Sequence, residues 1–447
     1  MKSASSPLIT HAPEQILAWR EGTPITAADF NRDVLRLAKA LPEGKQLVNL
    51  CEDRYRFMVG YAAAMQRGHV TLMPPNSTPG AINQLLKDNP ESYCLTDSTA
   101  EGIVIPQLDF EQLLQQQPAP KDERLKPIPA QQAVAIPFTS GSAGKPKANP
   151  KRWFNLQQES ISALRYFPFR SHGIKSLIAT VPSQHMYGLA ATIQFPWQGG
   201  FGVDTGRPFF PADIASALAR LPAPRVLITT PLHLRACVCA GIEWPSVAFI
   251  ISATAPLSHE LAEAAEARLK TEVFEIYGST ETGSVAGRRT SREACWRLYD
   301  GISLREDRDT HQIRGGHLSE PVTLNDRLCL ESPQVFRLLG RHSDMLKIAG
   351  KRASLGDLTH QLVSIPGVED GIFLPPAGDS PQARPIALVV APTLTKPQII
   401  AALAHSIDTA FLPRPLYCVD RLPRNQTGKL PREALQALLR ELQSESR

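Results

Sequence analysis

Residues 137–151, PFTSGSAGKPKANPK, combine hydroxyl groups, glycines and lysines in one short loop. The hydroxyl and glycine positions are Thr139, Ser140, Gly141, Ser142 and Gly144, and the lysines are Lys145, Lys147 and Lys151. Backbone N–H groups in a glycine-rich turn can converge on an anion, hydroxyls add donors and lysine adds charge, so this loop could hold a polyphosphate. It does not fit the form G-x-x-x-x-G-K-[ST], because Gly144-Lys145 runs into Pro146. The alternative interpretation is a basic surface loop.

A second candidate is the stretch EIYGSTETG at 275–283, where an apolar strand gives way to polar residues. Glu281 beside the hydroxyl of Thr280 suits a hydrated Mg²⁺ that bridges phosphates, and Tyr277 could lie against a nucleotide base. In open α/β sheets, ligands bind beyond the carboxyl ends of the strands. The alternative is an ordinary polar exit from a strand.

Two further candidates lie later in the chain. Asp326 and Arg341 could together hold ribose hydroxyls, although both could equally be exposed charges of a linker. Residues 425–428 are typical of a tight turn that presents Lys429 at its end. The alternative there is a solvated lysine on a hairpin-like loop.

The elements that must position these residues are apolar runs that alternate with helical patterns. Examples of such runs are AVAIPF (133–138), RVLITT (225–230) and VAFIISAT (247–254). Strands that are apolar throughout and alternate with helices indicate mostly parallel sheets covered by helices on both faces. We therefore predict an α/β fold with a large N-terminal body.

After residue 340 the pattern changes to short strands and three short helices, which predicts a small α+β unit. One helix begins near Thr395, with Gln398 placed to close a capping box. We expect an N-terminal domain over 1–340, a hinge over 341–343 and a C-terminal domain over 344–447.

Composition excludes several classes of protein. The 447 residues are 43% hydrophobic, which is enough for a large core. A net charge of +5 without blocks of like charge disfavours nucleic-acid binding and suits a small anionic substrate or an acidic partner. The seven cysteines form no C-x-x-C pair, which argues against a metal site or a disulfide framework. No apolar run approaches the roughly 18 residues that span a membrane, and no signal peptide is evident, so we expect a cytoplasmic protein.

Together the motifs resemble those of the adenylate-forming superfamily, which includes acyl-CoA synthetases, aryl-acid ligases and peptide-synthetase adenylation domains. The family forms [ST]SG[ST]TGxPKG, YGxTE, GRxxDxxKxxGxR and PRTxxGKxxR correspond to TSGSAGKPKA, YGSTE, GRHSDMLKIAGKR and PRNQTGKLPR. The family element TGD is present only as LND, and Ala143 replaces a threonine of the first motif. The resemblance extends over essentially the whole chain.

The resemblance implies a role for each matching position. The residues implied to bind the phosphates of ATP are Thr139, Ser140, Gly141, Ser142, Gly144 and Lys147. Thr280 would contact the α-phosphate, Glu281 would hold Mg²⁺ and Tyr277 would lie near adenine. Asp326 and Arg341 would bind the ribose.

The C-terminal domain resembles the small domain that moves between the two half-reactions of the family. Lys429 would reach the acyl carboxylate and the α-phosphate, and Arg352 would meet a phosphate or the acceptor. By spacing, the hinge position is Ser343. The acyl site would be lined by His185, Tyr187, Ala253 and Ala255, with His185 as a wall residue rather than a catalyst.

The implied function is ATP- and Mg²⁺-dependent activation of a carboxylic acid, followed by transfer to a thiol. The small residues and Tyr187 suggest a compact acid, in our interpretation an aryl acid. The acceptor is CoA or the phosphopantetheine of an acyl carrier protein, and the sequence does not choose between them. The alternative function is a degenerate adenylate-binding sensor without ligase activity.

Overall fold

The computed structural model describes residues 5–76, 78–98, 100–120, 122–139, 146–307, 310–341, 345–348, 351–376, 384–425 and 428–445. The chain divides into two compact units. The first comprises 1–302 and 314–322, and the second comprises 303–313 and 323–447. The expected hinge at 341–343 lies mostly outside the described residues, so its place remains a prediction.

The first unit contains helices that flank two large sheets. Its helices are α1 (Ala27–Ala40), α2 (Arg54–Gln66), α3 (Pro79–Asp88), α4 (Phe110–Gln115), α5 (Trp153–Tyr166), α6 (Phe169–His172), α7 (Met186–Gly188), α8 (Phe195–Gly199), α9 (Pro211–Arg220), α10 (Pro231–Cys239) and α11 (His259–Leu269). A π-helical turn, Leu189–Gln194, lies between α7 and α8.

The strands up to residue 298 build these sheets, except the first and the eighth, which form a separate two-stranded sheet. They are β1 (Ser5–Ser6), β2 (Ile16–Arg20), β3 (Thr23–Thr26), β4 (Gln46–Asn49), β5 (Val70–Met73), β6 (Ser92–Thr96), β7 (Gln107–Asp109), β8 (Ile128–Pro129), β9 (Ala133–Thr139), β10 (Lys147–Ala148), β11 (Lys151–Arg152), β12 (Ser176–Ala179), β13 (Gly202–Asp204), β14 (Arg225–Thr229), β15 (Phe249–Ser252), β16 (Glu272–Ser279), β17 (Gly283–Arg289) and β18 (Trp296–Leu298).

The remaining elements follow in chain order. The strands are β19 (Ile302–Asp307), β20 (Thr310–Gly315), β21 (Val322–Leu324), β22 (Asp326–Ser332), β23 (Val335–Arg341), β24 (Met345–Ile348), β25 (Lys351–Ser354), β26 (Asp370–Leu374), β27 (Ile386–Val390) and β28 (Leu416–Cys418). The helices are α12 (Leu355–Val363), α13 (Lys396–Ser406) and α14 (Arg432–Glu445), with a short 3-10 turn at Thr409–Phe411.

The sheets of the first unit are mostly parallel. One has the order β10-β9-β5-β4-β6-β7, with β11 also paired to β9, and the other runs β18-β17-β16-β15-β14-β12-β13-β2-β3. In this second sheet, strands β12 to β16 pair with one another in parallel and β2 is parallel to β13, whereas β3 is antiparallel to β2 and β17 is antiparallel to β16. Apolar residues such as Leu227 and Ile250 are fully buried under α9 to α11. This confirms the predicted α/β fold.

A buried arginine links α2, which flanks the first sheet, to the ends of β12 and β13 in the second sheet. Arg54, the first residue of α2, is 3% exposed. Its guanidinium donates to the carbonyl oxygens of Ala179, Val181, Asp204 and Gly206, at 3.0 to 3.4 Å. Burial lowers the pKa of Arg54 to about 10, and the charge of Asp204 opposes this shift. The carboxyl ends of β12 and β13 are therefore held by one desolvated cation.

The second unit is built around β27, which is covered on both faces. Ala387 and Val389 pack with α12 and α13. Ile386, Leu388 and Val390 pack with α14 residues such as Leu435. Alternate residues of a strand point to opposite faces, so β27 serves two cores at once. At the start of α13, the side chain of Gln398 accepts from the backbone N–H of Thr395, as the predicted capping box requires.

Within the described residues, no helix is long and apolar enough to cross a membrane.

We expect Gly188→Ala to destabilise the first unit. A Cβ at Gly188, in α7, would overlap with the carbonyl oxygen of Pro182, so the backbone would have to shift. Overpacking of this kind should lower the free energy of unfolding by about 1–3 kcal/mol. Urea unfolding followed by tryptophan fluorescence measures it, because the five tryptophans all lie in the first unit.

Gly80→Ala is the matched control for this variant. An added Cβ at Gly80 in α3 has nothing within 4 Å, and alanine is the better helix former. This variant should be at least as stable as the wild type. Equal stability of the two variants would contradict the close approach at Gly188.

Candidate active site

The ends of the basic loop are fixed by a short hairpin. Strand β9 ends at Thr139 and β10 begins at Lys147, and these two residues are direct partners in the antiparallel register. Thr139 is partly buried and Lys147 is exposed. The predicted phosphate-binding residues Ser140, Gly141, Ser142 and Gly144 lie outside the described residues. The structure describes the two paired ends of the loop, Thr139 and Lys147, which we call its neck.

A buried amide closes this neck. Asn149 is 8% exposed, and its side-chain NH₂ donates to the carbonyl oxygens of Lys147 at 3.1 Å and Pro137 at 3.3 Å. It also lies 3.5 Å from the hydroxyl oxygen of Thr139. The two sides of the loop are thus held together by one side chain, so both ends of the loop have fixed positions.

The YGSTE stretch forms the tip of the β16–β17 hairpin. Ser279 and Gly283 are register partners, so residues 280–282 make the turn. The hydroxyl of Thr282 is buried, accepts from the N–H of Ser279 at 3.0 Å and donates to the carbonyl of Gly283 at 2.8 Å. Thr280 and Glu281 are partly exposed at the tip. The two side chains predicted to meet phosphate and Mg²⁺ therefore stand side by side on an ordered turn.

Two buried side chains of opposite charge support this tip from below. Glu159 of α5 is 2% exposed and accepts from the N–H of Ser284 at 2.7 Å and from its hydroxyl at 2.9 Å. Lys151 of β11 is 8% exposed, and its Nζ donates to the carbonyl oxygen of Glu281 at 2.7 Å. Burial lowers the pKa of Lys151, whereas the charges of Glu159 and Glu281 act in the opposite direction.

A histidine contributes a third support. The buried Nε2 of His317 donates to the carbonyl oxygen of Thr282 at 2.7 Å. Asn155 of α5 in turn donates to the carbonyl of His317 at 2.7 Å. The carbonyls of both Glu281 and Thr282 are therefore bonded to buried side chains, which restricts the conformations open to the turn.

Tyr277 is placed on β16 just before the turn. It is 9% exposed, and its ring lies 5.5 Å from that of Trp296, centroid to centroid. The guanidinium of Arg288 lies 4.4 Å from the centre of Trp296 and forms a salt bridge with Glu275 at 2.7 Å. Burial raises the pKa of Glu275, against the opposing charge of Arg288. Contact between Tyr277 and adenine remains a prediction.

The expected acyl-site residues gather around the ends of β14 and β15. The hydroxyl of Tyr187 donates to the carbonyl oxygens of Ile251 at 3.1 Å and Thr229 at 3.3 Å. Burial of this hydroxyl raises the pKa of Tyr187. Ala253 is 5% exposed and its N–H donates to the same carbonyl of Thr229 at 3.4 Å. The hydroxyl of Tyr187 is thus bonded to the scaffold, and the role of its ring in the acyl site remains a prediction.

The segment that follows β15 has an unusual backbone. Thr254 has φ +82°, a conformation that β-branched residues rarely adopt, and such strain clusters at functional sites. Ala255 follows it and is partly buried. His185 is partly exposed, precedes α7, and its carbonyl accepts from the N–H of Leu189 at 2.7 Å. The structure therefore brings Tyr187 and Ala253 together, and the wall role of all four residues remains a prediction.

The two residues expected to bind the ribose lie opposite each other on paired strands of the second unit. Asp326 begins β22, Arg341 ends β23, and the two are register partners in this antiparallel hairpin. Side chains of directly opposed residues share one face and can meet. Only the backbone of Arg341 is described. Their proximity is consistent with a joint role, which remains a prediction.

Lys429 is exposed beside a turn that is anchored in the second unit. The N–H of Gly428 donates to the carbonyl of Asn425 at 2.9 Å, as expected for the predicted tight turn. The N–H of Lys429 donates to Oδ1 of Asn425 at 2.9 Å. Arg424 donates to the carbonyl of Gly428 at 2.6 Å and pairs with both carboxylate oxygens of Asp370 at 2.7 Å. Arg424 therefore braces the turn.

The remaining predicted residues are placed only in part. Arg352 lies in β25 opposite Lys347 of β24, and only the backbone of both is described. The neighbouring Lys351 pairs with Asp408 at 2.5 Å. Ser343 lies outside the described residues.

The buried polar residues that hold the candidate site carry no recognisable signal in the sequence. Glu159 and His317 belong to no quoted stretch, Asn149 was quoted in the basic stretch without a role, and Lys151 was recognised only as one of its lysines. A polar residue in the middle of the helical stretch 153–166 was the one available signal for Glu159, and it fits a solvated helix face equally well.

The sequence model of the AMP-binding enzyme family matches residues 9–311. A 4-coumarate–CoA ligase of Rhodobacter capsulatus is 29% identical over 297 residues, which cover 66% of this chain and 74% of that protein. A 4-coumarate–CoA ligase of Halorhodospira halophila is 28% identical over 302 residues, which cover 65% and 73%.

Solved structures share the fold. The o-succinylbenzoate–CoA synthetase of Bacillus subtilis in complex with AMP has a TM-score of 0.82 at 18% identity, covering 95% of this chain and 96% of that one. An anthranilate CoA ligase in complex with anthranoyl-AMP has a TM-score of 0.80 at 16% identity, covering 98% and 99%. Since the family model spans well over half of the chain, this protein belongs to the AMP-binding enzymes, the adenylate-forming superfamily that its motifs resemble, and is an acyl-CoA synthetase-like acid–thiol ligase of the AMP-forming type.

Proposed function

We propose that the enzyme activates a small aryl acid with ATP, releases pyrophosphate, and transfers the acyl group from the acyl-adenylate to a phosphopantetheine thiol. One observation carries this proposal. Strands β15 and β16 are parallel neighbours, with Ser252 opposite Glu275, so segment 253–255 and the hairpin tip at 280–282 leave the sheet at the same edge. An acid held by the first would lie close to phosphates held by the second.

The residues present fit a magnesium ion that arrives with the nucleotide. Among the described residues there is no group of three or more His, Cys, Asp or Glu side chains that could hold a metal by themselves. Mg²⁺ commonly uses one or two carboxylates together with substrate phosphates and water, so the partly exposed Glu281 suffices. When bound, the ion would neutralise charge on the phosphates.

In the first step, a carboxylate oxygen attacks the α-phosphorus of ATP and the bond to pyrophosphate breaks. Both reactants are anions, so the chain's contribution is positioning and charge stabilisation. Thr280 would donate to the α-phosphate, while Thr139 and Lys147 would hold the leaving pyrophosphate from the neck of the basic loop. The ammonium of Lys429 would neutralise repulsion between the carboxylate and the α-phosphate.

The acyl site favours a compact, flat acid. Tyr187 contributes a ring whose hydroxyl is already bonded to the carbonyl oxygens of Thr229 and Ile251, and the other expected wall residues, Ala253 and Ala255, have small side chains. The names of the relatives support aryl acids, since 4-coumarate and anthranilate are both aromatic carboxylates. We assign His185 to the same wall.

In the second step, a thiolate attacks the acyl carbon and AMP leaves. CoA and a carrier protein present the same phosphopantetheine thiol. The relatives named as CoA ligases support CoA, and Arg352 of the second unit is our candidate for contact with a phosphate of the acceptor. We propose that Asp326 and Arg341 bind the ribose, and that Ser343 is the hinge.

An acid screen tests the overall proposal. We expect pyrophosphate release from ATP to require both Mg²⁺ and a carboxylic acid, with aryl acids preferred over fatty and short-chain acids. Hydroxylamine trapping of the adenylate over the three acid classes measures this, and repeating the active acids with CoA and with carrier protein identifies the acceptor. Inorganic phosphate as the product, or nucleotide binding without turnover on any acid, would contradict ligase activity and favour a nucleotide sensor.

We expect Lys429→Ala to reduce adenylate formation by at least about 10²-fold, by analogy with the loss of one oriented donor at a developing charge. ATP should still bind, because the phosphate and ribose contacts remain. Pyrophosphate release and ATP calorimetry measure the two effects. Lys396→Ala, which removes an exposed lysine at the start of α13, is the control and should retain full activity. Near-normal turnover in Lys429→Ala would exclude the assigned role.

Tyr187→Phe should separate scaffold from substrate contacts. Removing a hydroxyl that bonds two backbone carbonyls should cost about 1–3 kcal/mol of stability, because these acceptors remain buried. The KM for the preferred acid should stay within about twofold, since the ring remains in place. Urea unfolding and steady-state kinetics provide the measurements. A large rise in KM without loss of stability would instead indicate that the hydroxyl binds the substrate.

A further inference from the structure

Lys151 and Arg152 are neighbours on β11 with opposite environments. Arg152 is exposed and its guanidinium donates to Gln131 at 2.8 Å. Lys151 is 8% exposed and is the register partner of Ala135 in β9. The motif resemblance assigns no role to Lys151. An amine is rarely buried without a specific partner, because its desolvation is costly.

That partner is the backbone of the hairpin tip. The Nζ atom of Lys151 lies 2.7 Å from the carbonyl oxygen of Glu281. The position is 130 residues away in sequence, so this bond joins two distant parts of the first unit. Glu281 is the residue that the proposed function assigns to Mg²⁺, and the bond fixes the peptide group that directly follows its Cα.

The opposite side of the tip is fixed by a carboxylate. Glu159 accepts from both the N–H and the hydroxyl of Ser284, and its charge also acts on Lys151. A side chain at Gly283, which has φ +69°, would collide with the carboxylate of Glu159. The turn is therefore held between a buried cation on its carbonyl side and a buried anion on its N–H side.

The same lysine is also linked to the basic loop. Strand β11 pairs with β9, whose last residue Thr139 begins the neck of that loop. A displacement of β9 and β11 would be transmitted to Glu281 through one hydrogen bond. The basic loop and the hairpin tip, which are both proposed to bind the nucleotide, are therefore connected through Lys151.

We propose that Lys151 is a positioning residue, which orients the Thr280–Glu281 segment for Mg²⁺–ATP through its bond to the Glu281 carbonyl. This inference rests on the proposed function for the role of Glu281. It does not require Lys151 to touch the nucleotide, the ion or the acid. Its effect should consequently appear in the order of the turn and in the Mg²⁺ dependence, and not in the KM for the acid.

The first test uses the ligand-free protein. In Lys151→Met, amide hydrogen exchange of peptides that cover 277–286 should speed up by about 10-fold, because the turn loses a hydrogen bond to a charged donor. Arg152→Met, the matched control on the same strand, should leave these peptides unchanged. Lys151→Arg keeps a donor and should restore part of the protection. Unchanged exchange in Lys151→Met would overturn the inference regardless of any activity.

The second test is a magnesium titration. The Mg²⁺ concentration that half-saturates acid-dependent pyrophosphate release should rise by about 10-fold in Lys151→Met, as is typical when a residue behind a metal ligand is removed. The KM for the acid should be unchanged, and calorimetric titration of Mg²⁺–ATP should show the same loss of affinity. An equal fall in kcat at every Mg²⁺ concentration would overturn the positioning role.

A third variant covers failure to fold. If Lys151→Met yields no folded protein, Lys151→Leu, which also removes the donor, replaces it in both tests. A wild-type enzyme that releases no pyrophosphate with any acid would refute the proposed function, while the exchange experiment would still decide the structural part of the inference.

Discussion

The desolvated guanidinium of Arg54 is the interaction on which the rest of the first unit depends. It donates to carbonyl groups at and just beyond the ends of β12 and β13, and it does so from the start of α2, a helix that flanks the other sheet. A buried charge with several acceptors tolerates little displacement, because each lost bond leaves a buried polar group unpaired. The edge at which the proposed acyl wall begins is thereby held in one arrangement, and the segment from Ser183 to Tyr187 starts from a fixed point.

In the candidate site, too, buried polar side chains fix the backbone by hydrogen bonds. The parts that we propose to face the substrate are short turns and strand ends, and buried polar groups bond to the backbone of each. Asn149 closes the neck of the basic loop, Lys151 and Glu159 support the hairpin tip, and Tyr187 bonds the ends of two strands. Exposed reactive groups on a rigid base are what a reaction between two anions requires, since its catalysis depends on orientation.

The main strands and the turn before Lys429 could be predicted from the sequence, because their signals are local. Apolar runs marked β9, β14 and β15 within a few residues, and the glycine and asparagine at 425–428 marked the turn before Lys429. The supports beneath the site could not be predicted, because their partners are remote in sequence. Nothing near Lys151 distinguishes it from the exposed Arg152 beside it; only the fold brings Glu281 within reach of one and not of the other.

The turn that carries Lys429 has a consequence for the energetics of ligand capture. Because Arg424 clamps it to Asp370, at the start of β26, the backbone beside the lysine is already ordered in the folded second unit. A lysine on a loose segment would lose backbone entropy each time it met an anion, at about 1–2 kcal/mol per residue ordered. In this protein the backbone on either side of Lys429 is ordered by folding itself, so in the role proposed for it the entropy lost on meeting an anion is mainly that of the side chain.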